Sequence, residues 1–201
     1  MLAPMSAAEP RRARQPDAVA QAIRAERLVA VLRHVPPAPA LEAGIRVLEV
    51  TLDSEGALDD IRRLRARGDV TVLAGTVRAA ADVDAAVAAG AEACVGPGFS
   101  PEVVTRCRDR GVLAVPGALT PTEVELAWRS GAGLVKLFPG SLGGPDYVRA
   151  LLAPLAEVPL LVTGGVTPAS ARGFLDAGAV AVGASVRTAD EGRALLEAVR
   201  R

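Results

Sequence analysis

Of the 23 cationic side chains in this sequence one is a lysine, Lys136, and all the others are arginines. Either cation keeps a surface soluble, but only an amine can shed its proton and attack a carbonyl carbon. Lys136 sits in the apolar run Leu134-Val135-Lys136-Leu137-Phe138, closed by Pro139-Gly140, which reads as a buried strand ending in a turn. Burial there strips water from an ammonium and favours the neutral, nucleophilic amine. A carboxylate, Glu49, lies in a run of the same kind, Arg46-Val47-Leu48-Glu49-Val50-Thr51. Side chains alternate along a strand, so Glu49 shares a face with Val47 and Thr51, and Lys136 with Leu134 and Phe138. Both can point into one interior, where a buried amine and a buried carboxylate make a nucleophile with its acid and base. The plainer alternatives are a lysine snorkelling from a strand end or a structural ion pair, and a buried pair adds little net stability.

Short apolar runs return along the chain at 28–33, 46–51, 70–74, 92–96, 112–115, 134–138, 159–163 and 180–184, each of strand length. Helical spacing follows most of them, clearest at 55–67, 78–89, 101–110, 121–130, 168–177 and 189–200. Ser100-Pro101, Thr120-Pro121 and Thr167-Pro168 read as helix starts, and Gly68, Gly90, Gly111, Gly131 and Gly178 as stops. This alternation, at a spacing of about 20–25 residues, predicts an α/β chain folded as a single-domain (β/α)8 TIM barrel over 17–201, after a flexible arm at 1–16. An open doubly wound sheet ranks second, because no Gly-x-Gly-x-x-Gly turn follows the first strand.

A barrel places its chemistry at the carboxyl ends of the strands. Those ends read Arg33, Glu49 with Thr51, Gly75-Thr76, Gly96-Pro97-Gly98, Pro116-Gly117, Lys136 with Phe138, Thr163-Gly164-Gly165 and Gly183-Ala184-Ser185. The glycines after the last two strands would expose backbone N–H groups near helix starts, where barrels hold phosphate.

Composition narrows the classes. The formal charge is zero and aromatics make up 2%, so neither a polyanion surface nor base-stacking platforms are expected, and nucleic acid is excluded as a partner. No apolar stretch reaches about 18 residues, so no membrane span is expected. Cys94 and Cys107 without a secretory pattern fit a reducing, cytoplasmic compartment. The lone His34 and two separated cysteines offer no metal-ligand spacing.

The segments GIRVLEVTL (44–52), VLAGTV (72–77), VGPGFSPEVV (95–104), PGALTPTE (116–123), GLVKLFPG (133–140) and TGGVTP (163–168) resemble, in order, the class I 2-keto-3-deoxy-6-phosphogluconate and 4-hydroxy-2-oxoglutarate aldolases. The resemblance implies a barrel enzyme without metal or other cofactor, usually a homotrimer, that cleaves a 2-oxo acid. It implies Lys136 as the Schiff-base lysine and Glu49 as general acid and base. It also implies that Thr76 and Thr163 hold the pyruvate moiety, that Phe138 and Pro97 line the pocket, and that Gly164, Gly165 and Ser185 bind phosphate. Three positions depart from the family pattern. Asp53 stands where an arginine usually grips the substrate carboxylate, so Arg33 or backbone amides near Thr76 must compensate. Asp53 is expected to repel that carboxylate, and Asp53→Arg to lower the Michaelis constant. The proline-rich stretch between Arg33 and Gly44 implies a shortened first crossover helix, and Ala184-Ser185-Val186 replaces Gly-Ser-Trp. Two other classes stay open: a barrel similar to thiamine phosphate synthase, which would need acidic magnesium ligands, and a non-catalytic barrel that binds a sugar phosphate or 2-oxo acid.

Overall fold

The structure, a computed structural model, describes residues 15–201. Nine parallel strands follow one another around a barrel: β1 (Leu28–Leu32), β2 (Val47–Thr51), β3 (Thr71–Gly75), β4 (Ala93–Val95), β5 (Leu113–Val115), β6 (Gly117–Ala118), β7 (Val135–Leu137), β8 (Leu160–Thr163) and β9 (Ala181–Ser185). Their order is β5-β4-β3-β2-β1-β9-β8-β7-β6, every pairing parallel. The two ends of this order are consecutive in the chain. Pro116, which has no N–H to give to a ladder, separates them. β5 therefore pairs back to β4 and β6 forward to β7, while Gly133 N–H donates to Ala114 O (3.2 Å) and Lys136 N–H to Pro116 O (2.9 Å). The ring closes, and β5 with β6 occupies one of eight positions, as the sequence spacing predicts.

Strand alternation sorts the apolar side chains into two cores. Residues facing out, such as Leu48, Val72, Cys94 and Val162, pack against a surrounding layer of helices. Inward residues, among them Val29, Val47, Leu73, Leu113, Leu134 and Leu161, form a separate cluster inside the barrel. Every strand is covered on both sides, which is why the runs read as continuous apolar stretches.

The surrounding helices are α2 (Ala38–Ala43), α3 (Ala57–Arg67), α4 (Ala80–Ala89), α5 (Pro101–Asp109), α6 (Pro121–Arg129), α7 (Gly144–Leu152), α8 (Pro168–Asp176) and α9 (Ala189–Arg200). Thr120 caps α6 by accepting from Glu123 N–H while the Glu123 carboxylate accepts from the Thr120 and Leu119 N–H groups. The first crossover is short: α2 has six residues and ends at Gly44, whose φ of 93° a side chain would resist. It lies against α9 at Gly192, where a methyl group would come within 2.5 Å of Ala43.

Two helices, α7 and α1 (Pro16–Glu26), are not anticipated from the sequence. α1 precedes the first strand, and its Val19, Ala20 and Ile23 belong to the inner cluster, so it stoppers the amino-terminal end of the barrel. Pro16 sits in its first turn, and the arm read over 1–16 falls outside the described residues except for its last two. Among the described residues no helix is long and apolar enough to cross a membrane.

Candidate active site

Two residues beyond the inner apolar cluster, alternation brings a different set of side chains inward: Val31, Glu49, Gly75, Gly117, Lys136, Thr163 and Gly183. The glycines make room for the polar groups. A methyl group on Gly75 would stand 2.4 Å from Glu49 Oε1, and one on Gly183 would stand 2.8 Å from Thr163 Cγ2. Both are closer than carbon tolerates, so this layer of the barrel is hollowed for functional groups where the layer below is filled.

Lys136 and Glu49, 87 residues apart in the chain, meet there. Lys136 Nζ lies 3.5 Å from Glu49 Oε1, with the lysine side chain 8% and the glutamate 0% exposed. The ammonium also stands 5.3 Å from the centre of the Phe138 ring, a distance at which the ring face attracts a cation. Glu49 Oε2 and Thr163 Oγ1 are buried without a hydrogen-bond partner. Such orphaned groups are costly unless something polar joins them.

Above this floor opens a cavity of about 550 Å³ at the carboxyl ends of the strands, within the size range that small-molecule sites occupy. Lys136, Phe138 and Thr163 line one side, and Arg33, Thr76 and Pro97 another. Arg33 donates from Nη1 to Asp53 Oδ2 (2.5 Å) and from Nη2 to Thr76 Oγ1 (3.0 Å). Asp53 is not part of the lining; it backs Arg33. Burial pushes the Asp53 carboxyl up, but the Thr51 hydroxyl and the Arg33 charge outweigh it and hold the group below the usual carboxylate range. The like-charge repulsion expected from the sequence is therefore met by an adjacent guanidinium.

Gly164, Gly165 and Ser185 also line the cavity. Gly164 and Gly165 have φ of 84° and 80°, and methyl groups there would strike Phe138 Cδ2 at 2.8 Å and Ser141 Cβ at 2.5 Å. Glycine lets this loop fold left-handed against the segment after Lys136, close to the start of α8. Every site residue read from the sequence thus lines the cavity, except Glu49, which is buried beneath it against Lys136.

Two charged residues of the lining were not read from the sequence. Arg187 and Glu191 also line the cavity, and Arg187 N–H donates to Glu191 Oε2 at 2.9 Å. The signal was available in Thr188-Ala189-Asp190-Glu191, a capping pattern that starts α9 at the strand end. Among the described residues no group of three or more His, Cys, Asp or Glu could hold a metal ion.

Residues 19–194 match the sequence pattern of the family described as "Aldolase: KDPG and KHG aldolase". The chain belongs to this family. It is 40% identical over 134 residues to the 2-dehydro-3-deoxy-phosphogluconate aldolase of Haemophilus influenzae, covering 66% of this chain and 63% of that relative. The chain therefore spans a little under two thirds of that relative's length. The 2-dehydro-3-deoxy-6-phosphogalactonate aldolase of Escherichia coli K12 is 35% identical over 166 residues, 78% of this chain and 81% of the relative. Among solved structures, family resemblance extends to the KDPG aldolase of Legionella pneumophila with pyruvate captured as a covalent carbinolamine. That structure superposes with a TM-score of 0.77 at 25% identity, over 92% of this chain and 97% of that one.

Proposed function

We propose that this chain is a class I aldolase that cleaves a 2-keto-3-deoxy-6-phospho sugar acid to pyruvate and an aldehyde such as glyceraldehyde 3-phosphate. The observation that carries the reading is Lys136 Nζ 3.5 Å from the fully buried Glu49, at the floor of a cavity that Gly164 and Gly165 also line. Lys136 attacks the C2 carbonyl, and Glu49, directly or through a water, supplies the proton with which the carbinolamine hydroxyl leaves as water. Glu49 then takes the proton of the C4 hydroxyl as the C3–C4 bond breaks. The bonding pair flows into the iminium and leaves an enamine, so the protein needs no metal as electron sink. The aldehyde departs, the enamine is protonated at C3, and water hydrolyses the iminium to pyruvate and free Lys136. Thr76 and Thr163 hold the pyruvate moiety, Phe138 and Pro97 bound it, and Gly164, Gly165 and Ser185 take the phosphate on backbone and hydroxyl donors.

The test is reduction with borohydride in the presence of pyruvate. A single covalent adduct at Lys136 is expected, and its absence at saturating pyruvate defeats the Schiff-base reading, leaving a barrel that only binds. Resemblance to the Escherichia coli phosphogalactonate enzyme favours one alternative, a substrate epimeric at C4. Comparing catalytic efficiencies on the gluconate- and galactonate-derived acids and on 4-hydroxy-2-oxoglutarate separates them. Preference for the unphosphorylated acid would mean that the glycine loop does not read phosphate. The family resemblance further supports a cytoplasmic homotrimer, which analytical ultracentrifugation would test.

A further inference from the structure

Asp53 occupies the position from which the family usually grips the substrate carboxylate, yet the structure turns it away from the cavity and against Arg33. Three sets of contacts fix this arrangement. The end of β1 is tied to the turn after β2, since His34 N–H donates to Ser54 Oγ (2.9 Å) and Ser54 Oγ meets Thr51 Oγ1 at 3.0 Å. Arg33 and Asp53 are the neighbours of these tied residues, so the brace sets the guanidinium beside the carboxylate. On the other side, Thr76 has a φ of 59°, a left-handed backbone that a β-branched residue rarely adopts. Leu52 N–H donating to Gly75 O (2.9 Å) and Val77 N–H donating to Val95 O (3.1 Å) hold the chain on either side of it. The strained turn brings Thr76 Oγ1 to Arg33 Nη2. Strain kept in place by surrounding bonds at a cavity wall points to function.

Resting on the aldolase reading above, we propose that Asp53 is a positioning residue: with Thr76 it clamps the Arg33 guanidinium at the cavity wall, and Arg33 receives the carboxylate of the 2-oxo acid. A guanidinium offers more N–H groups than the clamp uses, so donors remain for the carboxylate beside the carbon that Lys136 attacks. A flexible arginine would lose affinity to conformational freedom, and a pre-set one does not. The role inverts the electrostatic expectation. A carboxylate in that position alone would oppose a second one, whereas a carboxylate that orients the cation between them assists binding.

The sign of one measurement decides between these. The pyruvate concentration that gives half-maximal borohydride trapping at Lys136 is measured for the intact protein and for Asp53→Asn, Arg33→Gln and the double variant. Acetone, which has the carbonyl but no carboxylate, is trapped in parallel. Arg33→Gln is expected to raise the half-saturating pyruvate concentration about 10- to 100-fold, the scale of a charged hydrogen bond. Asp53→Asn is expected to raise it about 5-fold or more, and the double variant to match Arg33→Gln alone, because Asp53 acts through Arg33. Trapping of acetone should stay unchanged in all three, and Asp53→Glu should recover part of the loss. A lower half-saturating concentration in Asp53→Asn would show that Asp53 merely repels the substrate and would overturn the proposal. So would an unchanged value, fully additive effects, or equal losses with acetone, which would mark a structural role. Trapping of pyruvate in the intact protein with any of these results sinks only the clamp; no trapping in the intact protein removes the aldolase reading and the clamp with it.

Discussion

The barrel buries two glutamates against cations, one near each end, and they are built differently. At the amino-terminal end Glu92, 1% exposed, faces Arg65 of α3 at 3.2 Å, and its other oxygen accepts from Val72 N–H at 3.2 Å. At the carboxyl end Glu49, fully buried, faces Lys136 at 3.5 Å and leaves Oε2 without a partner. The first pair uses a guanidinium, which makes no nucleophile, and spends its second oxygen on the backbone. The second uses an amine, the cation type from which a nucleophile can be made, and keeps an oxygen in hand. Burial of a charge pair is therefore no sign of function by itself. The sign lies in which cation was chosen and in what the carboxylate leaves unmade.

The largest test of this contrast gives the upper pair the chemistry of the lower. Lys136→Arg should keep the fold and the charge while lowering turnover on the order of 10⁶-fold, the scale of losing a covalent nucleophile. Steady-state aldol cleavage with circular dichroism as the fold control measures it, and activity within tenfold of the parent would end the nucleophile assignment. Next, Glu49→Gln should lower kcat by roughly 10²–10⁴-fold while still forming some borohydride adduct. Unimpaired cleavage would show that protons move by another route.

At the opposite end the expected loss is of stability, not of chemistry. Glu92→Gln leaves Arg65 without its carboxylate in a largely buried place, which should cost about 3–5 kcal/mol, read as a lower midpoint in urea with pyruvate trapping at full amplitude. A drop in trapping without a drop in stability would contradict the division of labour. The smallest effect belongs to a carboxylate at the surface. Glu123 is held below its usual value by the N–H groups of Thr120 and Leu119 and by the Thr120 hydroxyl. A lowered carboxyl stabilises above the ordinary value of 4.5 and loses that contribution as pH falls through the folded-state value. Glu123→Gln should therefore melt lower than the parent at neutral pH, with the gap closing as the pH falls below 4.5. A gap that does not change with pH would show that the cap acts without its charge.

Much of this was legible because a barrel strand repeats every two residues. Once Lys136 and Glu49 are placed on strands beside apolar partners, alternation puts both inside, and a closed ring brings residues far apart in sequence together. The residues that escaped had no such rule. α1 begins where the stretch read as an arm ends, in a segment where no helix was read, although Val19 and Ile23 have helical spacing. α7 begins in Ser-Leu-Gly-Gly, which reads as a loop, and is recognisable afterwards from Val148 and Leu151. Pro116 splits a strand because one half faces each neighbour, a fact about pairing that local pattern does not carry. The setting of Asp53 was hidden most deeply. Sequence spacing placed it near Glu49, but its partner is Arg33 on a different strand, reached through a brace of Ser54, Thr51 and His34.

The helix at the floor also has a kinetic meaning. With Val19, Ala20 and Ile23 seated against the inner apolar layer, the barrel is a blind well with one rim. Everything that enters must leave by the way it came. On the proposed chemistry, the fragment tethered to Lys136 lies at the bottom and the fragment released by bond cleavage lies nearer the rim. The aldehyde therefore has a clear exit while pyruvate is still bonded, and the order of departure is imposed by the shape of the vessel as well as by its reactions.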